Sequence, residues 1–342
     1  MKLSEPEDNQ ISEEELKEQL DEIVSSVDTG ARDTTSGAGK ILALVALVWS
    51  LFQIWIASPF PYLVADWIPL LNSTHIRSAH LGFAMFLAFI AFPALKRSSR
   101  TKVPLLDWIF ALIATSCALY IAVFSEELAD RPGLPILQDL IISGIGLIFL
   151  LEATRRSLGI PMMIIAMLFL TYVFFGEHAP DIIAWKGASF NKAMSHMWLS
   201  QEGVFGIGLG VSSGFIFLFV LFGALLEKAG AGNYFTKVAF ALLGHYRGGP
   251  AKAAVVSSGM NGMISGSSIA NVVITGTFTI PLMKRVGFKA EKAGAVEVAE
   301  STNGQLMPPI MGAAAFLMIE YVGISYLEAV SYTHLTLPTN DL

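Results

Sequence analysis

The chain has 342 residues, 54% of them hydrophobic and 15% charged, with a mean hydropathy of +0.59, a composition that excludes an ordinary soluble domain. Its formal charge of −6 is local: residues 1–40 hold eleven acids and four bases, a sum of −7, and leave the remainder near +1, so no broadly basic surface offers itself to nucleic acid. The single cysteine, Cys117, lies in an apolar run, which excludes an intrachain disulfide and argues against a thiolate metal site.

Residues 1–40 read as an acidic, solvated cytoplasmic tail with one short amphipathic helix over 13–27. No basic segment leads directly into an apolar core, so this is not a signal peptide. Gly39-Lys40 lacks the rest of a phosphate loop, with Thr34 at the first glycine position and Ile41 in place of the Ser/Thr. Membrane spans follow at residues 41–56, 79–95, 105–124, 136–151, 160–175 and 204–226. Lys96, Arg97, Arg100 and Lys102 crowd the second loop, Arg155 and Arg156 the fourth, and Lys228, Lys237 and Arg247 follow the sixth span. The alternate loops carry acids, prolines and Trp67, Trp185 and Trp198, suited to the other interface. A cytoplasmic N-terminus places every basic loop inside.

Residues 251–283 are apolar but interrupted by Ser265, Gly266, Ser267 and Ser268, with Arg247 and Lys252 before them and Lys284, Arg285, Lys289 and Lys292 after. Basic flanks at both ends put both ends on one face. As a helix the segment measures about 50 Å, short of the roughly 60 Å that two traverses of the hydrocarbon core require. A re-entrant helical hairpin with its polar tip near mid-membrane is therefore expected. Irregular backbone at that depth survives only where protein or a polar cavity covers it, so the tip points to a solute or ion site.

A second interruption follows. Residues 291–300 look helical, 301–305 polar and flexible, and Pro308-Pro309 is expected to open a new apolar helix. Two broken elements close in sequence mark the binding region of secondary transporters, where freed carbonyls and hydroxyls coordinate a cation and a half-helix N-terminus faces an anion.

The segments SGSSIANVVITGTFTIPLMKRVGF and AGAVEVAESTNGQLMPPIMGAAAF resemble the hairpin and broken helix of the tripartite ATP-independent periplasmic (TRAP) transporters. The chain is most similar to the fused permeases of the TAXI-type branch, with LEATRRSLGIPMMIIAMLFLTYVFFG and EGVFGIGLGVSSGFIFLFVLFGALLEKAG resembling the junction and opening helices of the large domain. The resemblance implies an all-α polytopic protein of the cell inner membrane. Residues 41–151 would form a small four-span domain and 152–330 the first part of the large transport domain, one of two expected inverted repeats. It implies sodium-coupled uptake of an organic anion, a carboxylate, handed over by a periplasmic solute-binding protein, with no cofactor beyond the coupling ion Na+. The tip residues Ser265, Gly266, Ser267, Ser268 and Asn271, together with Thr302, Asn303 and Gly304, fall on the family's cation and substrate region. Ser265, Ser267 and Thr302 are the sodium candidates, since hydroxyls and carbonyls supply hard oxygens without a fixed charge; close helix packing is the other reading of such small residues.

Weaker signals remain. Gly206, Gly208 and Gly210 lie in an apolar span with no preceding strand and suit helix packing rather than a nucleotide. His75, His80, His178, His196 and His245 show no metal-ligand spacing and are expected in or near loops, solvated or interfacial. Glu297 and Glu300 could reach the polar break but suit a solvated helix face, and Glu320 either faces a cavity or marks the end of its helix. An intramembrane serine hydrolase would use Ser267 or Ser268, yet no histidine base is placed for it, so no enzyme is expected; a membrane scaffold is the bland alternative. Apolar patterning lapses near Val330, and SYTHLTLPTNDL is similar to translated adapter sequence. Residues 331–342 are therefore expected to be non-native, with the coding sequence continuing into the second repeat.

Overall fold

The computed structural model describes residues 31–32, 37–67, 70–95 and 98–334, and every regular element among them is helical. The principal helices are α1 (Gly37–Ala57), α2 (Ser73–Ala91), α3 (Leu105–Val123), α4 (Leu137–Ser157), α5 (Ile160–Phe175), α6 (Phe190–Met197), α7 (Ile207–Lys228), α8 (Ala231–Leu243), α9 (Gly249–Ser265), α10 (Ser268–Arg285), α11 (Ala290–Ser301), α12 (Ala313–Val322) and α13 (Tyr326–His334). Five of these, α1, α3, α4, α7 and α5 extended to His178, are long and apolar enough to cross a membrane. The expected amphipathic helix over 13–27, and Lys96 and Arg97, lie outside the described residues.

Helix α2 starts six residues before the expected span because Asn72 caps it, its side chain accepting the His75 N–H at 2.9 Å. It ends at Phe92, held extended by the following Pro93. Large side chains of α2, Leu81, Met85 and Phe89, lie in one buried cluster with the small Ala111, Ala114 and Ala118 of α3. In lipid such van der Waals fit, more than exclusion from water, holds helices together. Trp198 is fully buried at the end of α6, donating from Nε1 to the Cys117 carbonyl at 3.1 Å and pressing on Gly146 of α4. The interfacial role expected of Trp198 is therefore wrong: Gly146 leaves the space an indole fills.

Arg155 and Arg156 occupy the last turn of α4 rather than a loop. The side chain of Arg156 is buried and pairs with Asp107 of α3 at 2.8 Å and Glu152 at 2.7 Å, while Arg32 pairs with the same Asp107. These guanidinium groups are tied to carboxylates at one end of the bundle.

His80 also departs from expectation, since it is buried within α2. Its Nδ1 accepts from Trp49 Nε1 at 3.2 Å and Gln53 Nε2 at 2.6 Å, leaving Nε2 to donate to Ser212 Oγ at 3.1 Å. Ser212 opens a π-helical turn, Ser212–Ile216, inside α7, a distortion that often accompanies function. Of the glycine stretch, Gly210 leaves room for the Arg77 guanidinium, whereas a Cβ on Gly208 would meet nothing within 4 Å.

Candidate functional site

The hairpin is present. Helices α9 and α10 pack on one another through a connection of Gly266 and Ser267, and Asn271 Nδ2 donates across it to the Ser258 carbonyl at 3.0 Å and Ser258 Oγ at 2.8 Å. One continuous helix would hold residues 258 and 271 about 20 Å apart. Pro250 opens α9, and Gly266 closes it in the left-handed region at φ +59. The 17 residues of α9 span about 26 Å, less than the roughly 30 Å hydrocarbon core that a full crossing traverses.

The second break is displaced from its expected place. Residues 303–306 are helical, continuing α11 almost without interruption, and the irregular stretch is 307–312. Pro308 and Pro309 lie inside it instead of opening α12, which begins at Ala313 after Gly312. Two adjacent prolines remove two N–H donors and force Met307 into an extended conformation, so the helix stops where they begin.

The break sits on the tip. A Cβ on Gly266 would lie 2.5 Å from the Met311 carbonyl oxygen and 2.7 Å from Ile310 Cγ2. One on Gly304 would lie 3.1 Å from the Ser267 carbonyl oxygen and 3.3 Å from Asn271 Nδ2, and one on Gly262 2.5 Å from Gly304 Cα. Gln305 Nε2 donates to Ser268 Oγ at 3.1 Å, and Gly223 of α7 abuts the Ile264 carbonyl. The tip residues Ser265, Gly266, Ser267 and Ser268 are half-buried, Asn271 and Gly304 buried. The structure thus brings Ser267, Ser268, Asn271 and Gly304 together, with the Asn303 carbonyl 3.3 Å from a Gly262 Cβ; Thr302 is exposed. The end of α9 and the start of α10 meet at the tip, and the segment joining α11 to α12 lies against them through Gly304, Ile310 and Met311.

Glu297 and Glu300, expected on a solvated face, are buried, whereas Glu320 is exposed two residues before α12 ends. The signal for their burial is faint in the sequence: Glu-x-x-Glu on α11 must be matched with Thr-x-x-x-Thr on α10, Thr275 and Thr279, both of which donate to Glu297. Helix α13 continues through His334, past the point where the apolar pattern lapses, and residues 335–342 lie outside the described residues.

The profile of the family described as "Tripartite ATP-independent periplasmic transporter, DctM component" matches residues 145–334, more than half of the chain. Among similar proteins are the C4-dicarboxylate TRAP transporter large permease proteins DctM of Rhodobacter capsulatus, 33% identical over 91 residues, and of Vibrio cholerae, 36% identical over 91 residues. Each alignment covers 27% of this chain, and 21% and 20% of the respective relatives. The ectoine TRAP transporter large permease protein TeaC of Halomonas elongata is 27% identical over 110 residues, 32% of this chain and 26% of the relative. The chain thus spans only about a quarter of the length of these curated relatives. No solved structure matches the chain. With its all-helical architecture, its apolar spans and a hairpin seated on a broken helix, the chain belongs to the family of TRAP transporter large permeases.

Proposed function

We propose that the chain forms part of the permease of a sodium-coupled transporter in the cell inner membrane, its N-terminus cytoplasmic, taking up an organic anion delivered by a periplasmic solute-binding protein. Residues 41–151 form the small membrane domain in this reading and 152–330 the first part of the transport domain. The observation that carries it is the seating of the tip, Ser265 to Ser268, on the break after α11. Sodium is held by Ser265, Ser267 and Thr302 hydroxyls with carbonyls freed at the ends of α9 and α11. The starts of α10 and α12 favour the anion, and Asn271, Asn303 and Gly304 complete the site. A carboxylate is the preferred substrate because two of the relatives named above are C4-dicarboxylate permeases.

Sodium binding stabilises the folded protein by about 2.7 kcal/mol at a hundredfold excess over Kd. Unfolding of the purified chain in mixed micelles, in sodium against potassium at equal ionic strength, reads this out. Ser265→Ala, Ser267→Ala and Thr302→Ala should each reduce the sodium-specific gain. Equal gains in wild type and all three variants would reassign these residues to packing.

A further inference from the structure

Helix α7 is gripped by α1 and α2 on both sides of its π-turn. Upstream, Arg77 Nη1 donates to the Phe205 carbonyl at 2.8 Å, and its guanidinium fills the space beside Gly210. At the first residue of the turn, His80 Nε2 lies 3.1 Å from Ser212 Oγ. Just past the last, Phe217 packs against the rings of Trp49 and His80, with centroids 4.7 Å and 5.8 Å away. An indole N–H can only donate, so the bond from Trp49 makes His80 Nδ1 an acceptor and leaves the ring proton on Nε2, directed at Ser212.

A π-turn holds one residue more than the α-turn it replaces. Here the Phe217 N–H donates to the Ser212 carbonyl, five residues back. Every residue after the turn is thereby set back by one helical position, about 100° of rotation. With the upstream half fixed by Arg77, a continuous α-helix would put Ile216 where Phe217 stands and Phe222 where Gly223 stands. Neither exchange is neutral. Ile216 has no ring to offer Trp49 and His80, and the place of Gly223 tolerates no side chain. A Cβ there would run into the Ile264 carbonyl and lie 3.1 Å from Ile310 Cδ1. Ile264 precedes the tip and Ile310 belongs to the break, so Gly223 faces both, while the bulky Phe222 points away and is 51% exposed.

We propose that His80 is a positioning residue for the hairpin tip. Its bond to Ser212 and its ring contact with Phe217 clasp the two ends of the π-turn. They hold α7 in the register that presents Gly223, and not Phe222, to Ile264 and Ile310. When the clasp opens, α7 relaxes toward a continuous α-helix, and Phe222 is driven between tip and break and parts them. Helices α1 and α2 thus set the geometry of a tip that lies on α9 and α10. The inference goes beyond the sodium reading and holds whether or not the tip binds an ion.

Hydrogen–deuterium exchange of the purified full chain in mixed micelles, in potassium without sodium, reads the seating of the tip independently of any ion. The reporting amides are those of Gly266, Met311 and Gly312, each bonded to a backbone carbonyl. Ser212→Ala, which removes the acceptor of His80, should speed their exchange about tenfold and leave α3 at the wild-type rate. Ser212→Thr keeps a hydroxyl and should exchange as wild type does. Deleting Gly214, which has nothing within 4 Å of its would-be Cβ, takes the extra residue out of the turn while keeping the faces on either side in place. In that background Ser212→Ala should no longer speed exchange at the tip. Wild-type rates in Ser212→Ala would overturn the proposal, as would equal acceleration in α3 or an acceleration that survives the deletion. If the shortened chain does not fold, Ser212→Ala and Ser212→Thr decide alone, and equal rates in the two would overturn it.

Discussion

Replacing Gly266 with alanine attacks the one residue that both turns the hairpin and touches the break. At φ +59 an L side chain costs about 1–2 kcal/mol. Its Cβ would lie 2.5 Å from the Met311 carbonyl oxygen, about 0.8 Å inside the closest ordinary carbon–oxygen approach. Moving tip and break apart to that extent is overpacking, costing about 1–3 kcal/mol. The stiffer unfolded chain returns about 0.4–1 kcal/mol, so a net loss of about 2–4 kcal/mol is expected. Gly294 is the control: it lies inside α11 with nothing within 4 Å of its would-be Cβ, and Gly294→Ala should stabilise by up to about 1 kcal/mol through helix propensity. Both changes are read by equilibrium unfolding of the purified chain in mixed micelles. If the two variants matched, with neither shifted by more than about 0.5 kcal/mol, the tip would not be seated on the break and the argument from Gly266 would fail.

Three further outcomes are expected in the same assay. Trp198→Ala should cost about 3–5 kcal/mol, and Trp198→Phe about 1 kcal/mol for the lost bond to the Cys117 carbonyl; an interfacial tryptophan would lose little in either case. His80→Leu should cost about 1–3 kcal/mol by stranding the buried Gln53 amide, and a neutral result would show that water reaches this site. Arg156→Met should cost about 3 kcal/mol, the low end for breaking a buried pair, because Arg32 remains on Asp107; a loss below about 1 kcal/mol would mean that Arg32 suffices.

What could be read from the chain was what local pattern determines. The hairpin arms and five of the six expected spans follow from apolar runs ended by glycine, proline or charge, and the Ser/Gly tip interrupts such a run in plain view. The placement of the second break depended on how far a helix resists polar residues. The chain turns at Thr302 and is helical again over 303–306 because nothing there forbids it, and Pro308 stops it from continuing. Contacts between distant residues were invisible. His80 looks solvated or interfacial in the sequence because its partner Ser212 lies 132 positions away. Glu297 looks solvated because its burial depends on Thr275, Thr279 and Gly276 of another helix. Trp198 looks interfacial because the complementary space is a missing side chain, that of Gly146.

A hairpin that enters and leaves by one face underlies the proposed site. Lys252 and Lys284, near the two ends of its arms, are both exposed, and the sole native cysteine, Cys117, is buried. Single Lys252→Cys and Lys284→Cys substitutions in sealed vesicles of known orientation, treated with a membrane-impermeant maleimide, therefore report the topology directly. Labelling of both from the cytoplasmic side is predicted, and labelling from opposite sides would make residues 249–285 a single crossing and contradict the re-entrant hairpin.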